Sequence, residues 1–396
     1  MNNDLHHLYV LGQTGMGKST VMLNQIIQAI YDNHGVFYYD PHGTDTDTLL
    51  QFIPSQRRCD VILLDPSDIR FPMAWNPLSN ITPEEVPYYA SVWTNTIKDI
   101  WDYDFATPQM EMYLKFAILT LMQAKETLFG LPYLLVSDRY RKRVLRRIKD
   151  TVLLHFWQEY FDEMNDAEQR RDISSALNKA FGFNVDPRVR NIIGQTRSQL
   201  NIGQLVEDGR ILLARLPQGQ LGMDVSKFFG SMLVSQLHQA LLKRQSSVPF
   251  HLYLDEVHHI SKRPLKEMLS GIRKFNAQLV LAHQYVDQLS PDLFASIRAN
   301  TGEQMVFRVS SDDAVKFQEP INWSRPANLD CLPKYVYRSF PFNTKRKDSN
   351  DFSVSPLQHD SFPDGPAAIR ANTRRNYCRN AEAVEKRINN FMSDWV

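Results

Sequence analysis

An α/β fold with a mostly parallel sheet is predicted by three observations on this 396-residue chain. Short apolar runs alternate with helical patterns. Most of those runs are continuous rather than two-periodic, as in parallel strands buried on both faces. The first run leads through a glycine-rich loop straight into an amphipathic helix. The expected strands are 8–12, 36–40, 61–65, 210–216, 250–255, 278–282 and 304–309, most bounded by Gly, Pro or Asp. Helical stretches lie between many of them, and Asn33-His34-Gly35 reads as a helix stop. The order is a repeated βαβ pattern, which builds a doubly wound sheet.

The alternation stops between Pro83 and Arg188. That stretch has no convincing strand but several helical patterns. Over 109–125, Met110, Tyr113, Leu114, Ala117, Ile118, Leu121 and Met122 share one side, and 151–164 reads as another helix. The expected organisation is therefore an α/β domain over 1–82, an all-α insertion over 83–188 and the α/β domain resumed over 189–320. A C-terminal segment over 321–396 follows, with a basic cluster Lys345-Arg346-Lys347, an edge strand at 367–371 and a last helix at 379–392.

Composition narrows the function classes. The length suits about two domains with a large core. A hydrophobic content of 43% with 22% charged residues is ordinary for a globular protein. The net charge of +1 means that any basic surface must be local. Cys59, Cys331 and Cys378 are far apart, which argues against a disulfide framework or zinc site and for a reducing compartment. No apolar run approaches the roughly 18 residues of a membrane span, and no signal peptide precedes the first strand.

The loop after the first strand, Gly12-Gln-Thr-Gly15-Met-Gly17-Lys18-Ser19-Thr20, fits G-x-x-x-x-G-K-[ST]. Its glycines let backbone N–H groups converge on phosphate, and the helix that follows adds its dipole. Lys18 would reach the β/γ-phosphates and Ser19 would hold Mg²⁺. The candidate ATP-binding residues are Gly12, Thr14, Gly15, Met16, Gly17, Lys18, Ser19 and Thr20. A second half-site follows at Phe250-His-Leu-Tyr-Leu-Asp255-Glu256, an apolar strand ending in two acids with the shape of a Walker B motif. Asp255 would serve Mg²⁺, and Glu256 would polarise the attacking water. A further buried strand ends in His283-Gln284. The amide suits a γ-phosphate sensor, while His283 reads equally well as a structural histidine. Arg273 ends a helix beginning near Pro264. It reads either as a cation complementing the helix dipole or as an arginine finger for a neighbouring subunit.

In order, the phosphate loop, Asp40-Pro-His-Gly43, Asn76-Pro-Leu78, 209–216, Leu254-Asp-Glu-Val-His258, Arg273-Lys-Phe275 and Ala282-His-Gln284 resemble the HerA/FtsK superfamily of RecA-like motor ATPases. They are most similar to the nucleotide-binding domains of type IV secretion and conjugation coupling proteins. The resemblance covers residues 8–319. It implies a RecA-like P-loop fold interrupted by an all-α domain, with ATP and Mg²⁺ as cofactors. It implies a hexameric ring that hydrolyses ATP while moving DNA, with secretion-channel or relaxosome proteins as further partners. Its location would be the cytoplasm, free or peripheral at the inner membrane. Carried over, Lys18 is the phosphate lysine, Ser19 and Asp255 are the Mg²⁺ ligands, and Glu256, Gln284 and Arg273 are the catalytic glutamate, sensor and trans finger. Arg273 falls 18 residues after Asp255, and Gln284 falls 11 after Arg273. Coupling proteins usually carry N-terminal transmembrane helices and HerA proteins an N-terminal β-barrel. Neither is found in this sequence.

Two other function classes share this ATP site: a protein-transport or assembly ATPase of a secretion machine, and a HerA-like DNA-processing or defence ATPase that works with a nuclease. Arg139 to Lys149 carries seven basic residues. It reads as a solvated helix face or as a patch for DNA phosphates. Arg188, Arg190 and the loop 218–222 are weaker candidates for a DNA or pore surface. His258-His259 lacks the spacing of a metal site, and Trp75, Trp93, Trp101 and Trp157 suit a core better than base stacking.

Overall fold

The computed structural model describes residues 5–100, 108–318, 328–341 and 350–395. The chain divides into two compact units, an α/β unit (Met1–Leu64, Ile202–Gly219 and Gln236–Thr373) and a helical unit (Asp65–Asn201, Gln220–Ser235 and Arg374–Val396).

The α/β unit is built on one nine-stranded sheet. Its strands are β1 (His7–Leu11), β2 (Gly35–Asp40), β3 (Val61–Leu64), β4 (Ile211–Arg215), β5 (Phe250–Leu254), β6 (Ala277–His283), β7 (Thr301–Val306), β8 (Val336–Pro341) and β9 (Asn350–Ser353). All seven strands expected from the sequence form, and they pair in parallel in the order β3-β4-β2-β5-β6-β1-β7. The cause is burial on both faces: every residue of β1, β2, β3 and β5 is buried. Each Val, Leu or Ile removed from water there contributes about 1.5–3 kcal/mol. Register is regular between β1 and β6 and between β2 and β5, with Val10 beside Ala282 and Tyr39 beside Leu254, and shifts between His7 and Leu8 where β1 pairs with β7. The C-terminal ends of β1, β5 and β6 therefore meet along one sheet edge.

Two strands at the sheet's end were not expected. β8 pairs antiparallel with β7, and β9 pairs antiparallel with β8. Their sequences, Val-Tyr-Arg-Ser-Phe-Pro and Asn-Asp-Phe-Ser, lack an apolar run, because an edge strand keeps a face in water. The edge strand expected at 367–371 is corrected: those residues lie inside the helix Gly365–Tyr377. Gly365, Ile369 and Thr373 are its buried positions, at a spacing of four, which is helical. Gly365 must be small there, since a Cβ would lie 2.8 Å from the Leu50 carbonyl oxygen.

In the helical unit, the helix expected at 109–125 forms as Pro108–Gln123 and buries all seven of the apolar residues assigned to one side. The pattern at 151–164 becomes an α-turn, Thr151–His155, followed by a π-helical stretch, Phe156–Phe161. Trp157 is fully buried, and its indole N–H donates to Thr120 Oγ1 at 2.8 Å. Trp75 and Trp93 are core residues too. Trp101 and the cluster Lys345-Arg346-Lys347 lie outside the described residues. The unit takes in more chain than 83–188. It begins at Asp65 and includes the terminal helix Ala381–Trp395, whose Phe391 packs on Phe129, Tyr133 and Tyr140.

Candidate nucleotide site

The site forms where β1, β5 and β6 end. From β1 the chain enters the phosphate loop, which is tied to the neighbouring strand ends. Gln13 N–H donates to the Arg308 carbonyl at 2.9 Å and Gly12 N–H to the His283 carbonyl at 3.4 Å. Gly17 has φ 115°, and a Cβ on it would lie 2.9 Å from the ring of Tyr335. Both conditions demand glycine. The helix Lys18–Tyr31 then starts with no side-chain cap and no acid in its first turn. Its first N–H groups and its dipole are left for an anion. Thr14 and Gly15 form the exposed tip, Met16, Ser19 and Thr20 are half-buried, and Lys18 is 7% exposed. The Lys18 ammonium donates to the Gly12 and Gln13 carbonyls at 2.6 and 3.2 Å. Burial lowers its pKa, and the charges of Asp255 and Glu256 oppose that shift.

Asp40, at the end of β2, holds the adjoining loop. Its carboxylate accepts from His42, Gly43 and Thr46 N–H at 2.9, 2.7 and 2.7 Å. It thereby caps the helix Thr44–Leu49 from outside and presents His42 and Asp45 to the site. Burial and the charge of Asp40 raise the pKa of Asp45, while hydrogen bonds from the hydroxyls of Ser19 and Tyr38 oppose the rise.

β5 delivers the acids. Asp255 is 4% exposed, and burial together with the charge of Glu256 pushes it up to about 7, against the pull of Lys18. Glu256 follows in a left-handed conformation, φ 46° and ψ 52°, which is uncommon for a side chain of this type. The turn aims its carboxylate back towards β6. Oε1 accepts from Gln284 Nε2 at 2.5 Å and lies 3.8 Å from His42 Nε2, and Oε2 lies 3.4 Å from His258 Nδ1. Burial pushes Glu256 up. The contacts with His42 and Gln284 and the charges of His258 and Lys18 outweigh that effect and hold it at about 2. Its Oε2 has no hydrogen-bond partner although it is buried. His283 turns into the core instead, where Nε2 meets the Tyr9 hydroxyl at 2.6 Å. Burial lowers it to about 4, so it is a neutral structural histidine.

Lys18, Ser19, Asp255, Glu256 and Gln284 thus converge around the phosphate loop, joined by Asp40, His42, Asp45 and His258. Sequence reasoning gave those last four no role in the site. The Asp-Pro-His-Gly turn was the available signal. Arg273 is not brought in. It lies on the 3₁₀ turn Ile272–Phe275, exposed, with Nε donating to the Leu5 carbonyl at 3.0 Å. It precedes β6, whereas Gln284 follows β6. The seven residues of that strand separate the two by about 20 Å.

The arrangement fits a nucleoside triphosphate with Mg²⁺. An uncapped helix start, a buried lysine resting on loop carbonyls and an orphaned carboxylate oxygen are groups that such a ligand would satisfy. Ser19 and Asp255, with Asp45 beside them, supply hard oxygen ligands of the kind Mg²⁺ takes. Among the described residues no cluster of three His, Cys, Asp or Glu side chains forms a separate metal site.

In the helical unit, the basic run is helical only as far as Leu145, in the helix Asp138–Leu145 capped by Ser137, and Arg146, Arg147 and Lys149 follow it. Several of the run's charges are already used. Arg141 pairs with Asp138 and Asp162, Arg143 and Arg147 meet the buried Glu126 at 3.4 and 2.8 Å, and Arg143 stacks on Trp395. Lys142, Arg146 and Lys149 stay exposed outside those pairs. Arg188 is clamped by Asp186, and Arg190 by the Val185 carbonyl. Residues 218–221 form a single helical turn. Among the described residues no helix is long and apolar enough to cross a membrane.

No protein-family model and no curated protein matches the chain in sequence. Solved structures do match. The bacterial conjugative coupling protein TrwB, in an unbound form, superposes with a TM-score of 0.64 at 17% identity over 91% of this chain and 87% of its own. TrwB in complex with ADP and Mg²⁺ gives a TM-score of 0.64 at 17% identity, also over 91% and 87%. VirB4 of Thermoanaerobacter pseudethanolicus gives 0.58 at 14% identity over 88% and 89%. These likenesses show that this chain has the RecA-like P-loop fold, with a mostly parallel sheet, that those proteins share.

Proposed function

We propose that the chain is an ATPase motor that moves DNA, of the conjugative coupling type, working as a hexameric ring. One observation carries the hydrolytic part: the catalytic candidate Glu256 and the sensor candidate Gln284 touch at 2.5 Å, next to a buried Lys18 on a glycine-rich loop. In this reading Lys18 and the first amides of its helix bind the β- and γ-phosphates. Ser19 and Asp255 hold Mg²⁺, which neutralises charge developing on the phosphoryl oxygens. Glu256 accepts the proton of the attacking water, which requires that Gln284 let go of Oε1 and turn to the γ-phosphate. Loss of that phosphate returns Gln284 to Glu256. Arg273 acts on the site of a neighbouring subunit, since it lies at the opposite sheet edge of its own. The likeness to TrwB, whose structures hold nucleotides, supports the class. Exposed Lys142, Arg146 and Lys149 are candidates for contacts with DNA phosphates.

The fold shared with VirB4 is equally consistent with a second reading, a secretion-machine ATPase that uses the same ATP site without acting on DNA. ATP hydrolysis measured with and without single- and double-stranded DNA at two salt concentrations separates the two. Strong, salt-sensitive stimulation is expected of the motor. Hydrolysis indifferent to DNA selects the second reading, and no hydrolysis at all overturns both.

A further inference from the structure

The phosphate loop and the acids account for the triphosphate end of a nucleotide, and sheet order shows where the other end goes. β5, with Asp255 and Glu256, lies on one side of β1 beyond β6, while β7 and β8 lie on the other. If the γ-phosphate faces the acids, ribose and base leave the loop towards β7 and β8.

Of the aromatic side chains there, Phe307 is buried and Tyr337 stacks on Phe352, whereas Tyr335 is exposed and its own backbone bonds to the phosphate loop. Tyr335 stands at the entry to β8 with φ 62°, the left-handed region that a bulky residue rarely occupies. Two backbone bonds hold it. Its N–H donates to the Met16 carbonyl of the phosphate loop at 3.0 Å, and its carbonyl accepts from Val354 N–H at 2.8 Å. The second bond ties the turn to the chain leaving β9, which is further fixed where Asn24 of the loop's helix donates to the Ser355 carbonyl at 2.9 Å. The ring lies against Gly17, near enough that a Cβ on that glycine would meet it. It is nevertheless 45% exposed, with the Lys334 ammonium 4.8 Å from its centroid. A strained backbone, anchored at both polar groups, thus holds a large apolar ring in water at the mouth of the loop.

We propose that Tyr335 is the platform on which the base of the bound purine nucleoside triphosphate stacks. The inference rests on the nucleotide reading of this site. Stacking uses the π-face that every base has, so the platform adds affinity without selecting between adenine and guanine. Lys334 adds a cation beside the same ring.

The experiment is calorimetric binding of Mg²⁺-ATP, Mg²⁺-GTP and Mg²⁺-tripolyphosphate to the full chain, to Tyr335→Phe and to Tyr335→Asn. Asparagine tolerates the left-handed backbone, so the loop anchor survives without the ring. Expected are about tenfold weaker ATP and GTP binding in Tyr335→Asn, in the lower range for a base on an aromatic ring. Tripolyphosphate affinity should be unchanged, and Tyr335→Phe should bind all three ligands as the parent does. Unchanged nucleotide affinity in Tyr335→Asn overturns the proposal. So does equal weakening of ATP and tripolyphosphate, which would make the ring a support for the loop. A parent chain that binds neither nucleotide nor tripolyphosphate overturns the nucleotide reading itself, and this inference with it.

Discussion

Replacing Asp40 by Asn tests how the loop beside the phosphate site is held. The carboxylate serves three amides, His42 and Gly43 through Oδ1 and Thr46 through Oδ2. An Asn side chain has one acceptor oxygen. It keeps more bonds by turning that oxygen to His42 and Gly43, which sets its NH₂ against the Thr46 N–H, donor facing donor. The lost bond was charge-assisted and buried, so its removal costs about 2–3 kcal/mol. Thr46 N–H is one of the four amides that a helix start leaves without an internal partner, so nothing else takes the bond over. At 1.4 kcal/mol per tenfold, its exchange should speed up by about 30- to 150-fold. Amides of the central strand β5 should hold their protection. Hydrogen exchange followed by mass spectrometry over 41–47 and over β5 reads both. An unchanged rate at 41–47 would refute the capping argument. An equal rise in β5 would show instead that Asp40 supports the whole sheet.

Four further outcomes are expected. Lys18→Ala should abolish nucleotide binding, whereas Glu256→Gln should bind normally and hydrolyse about 10²–10⁴-fold more slowly, the range for a lost general base. Equilibrium binding and steady-state hydrolysis on both variants check this pair, and normal turnover in Glu256→Gln would remove Glu256 from the chemistry. Arg273→Ala should bind ATP yet hydrolyse it slowly, and mixing it with Lys18→Ala should restore part of the rate if the finger acts in trans. Mixed rings as inactive as their components return Arg273 to its helix-end role. Charge reversal at Lys142, Arg146 and Lys149 should weaken DNA binding and flatten its salt dependence without lowering the melting temperature. Arg143→Glu with Arg147→Glu should instead lower the melting temperature, because it strands the buried Glu126. Finally, burial holds His7 and His251, like His283, at about 4 in the fold, and their combined effect exceeds the opposite one of Asp255, pushed up to about 7. The unfolded chain takes up protons near 6.5 that the native state refuses, so stability should be level above that pH and decline as pH falls from about 6.5 towards 4. Melting temperatures across that window are the measurement, and a flat profile would count against the burial of these rings.

The seven parallel strands were legible because burial on both faces leaves uninterrupted apolar runs, as in Val61-Ile-Leu-Leu64. β8 and β9 were not, because strands at a sheet's end keep Arg338, Asp351 and Ser353 without disturbing any core. Ala367–Ala371 misled as a strand since its helical period shows only when Gly365 and Thr373 are read with Ile369. In the site, the residue types and their order announced the chemistry of Lys18, Asp255 and Glu256. Spacing along the chain could not place Gln284 against Glu256, nor Arg273 at the far edge, because both depend on which strands are neighbours. The arginines facing Glu126 read as solvated for a related reason: their partner lies 17 and 21 residues upstream. Tyr335 had no local signal at all. Its meaning comes from Met16, 319 residues away.

The position of β6 has a mechanical consequence. This strand is bonded along both sides, to β1 and to β5. Gln284 follows one end of it and Arg273 precedes the other. A strand gripped on both sides cannot slide by less than a full register step without breaking hydrogen bonds in two ladders. It therefore acts as a strut that fixes the distance between its ends. Rearrangement of Gln284 must be absorbed in the residues beyond His283 rather than along the strand. A message from one end to the other has to travel as a rigid tilt of the sheet.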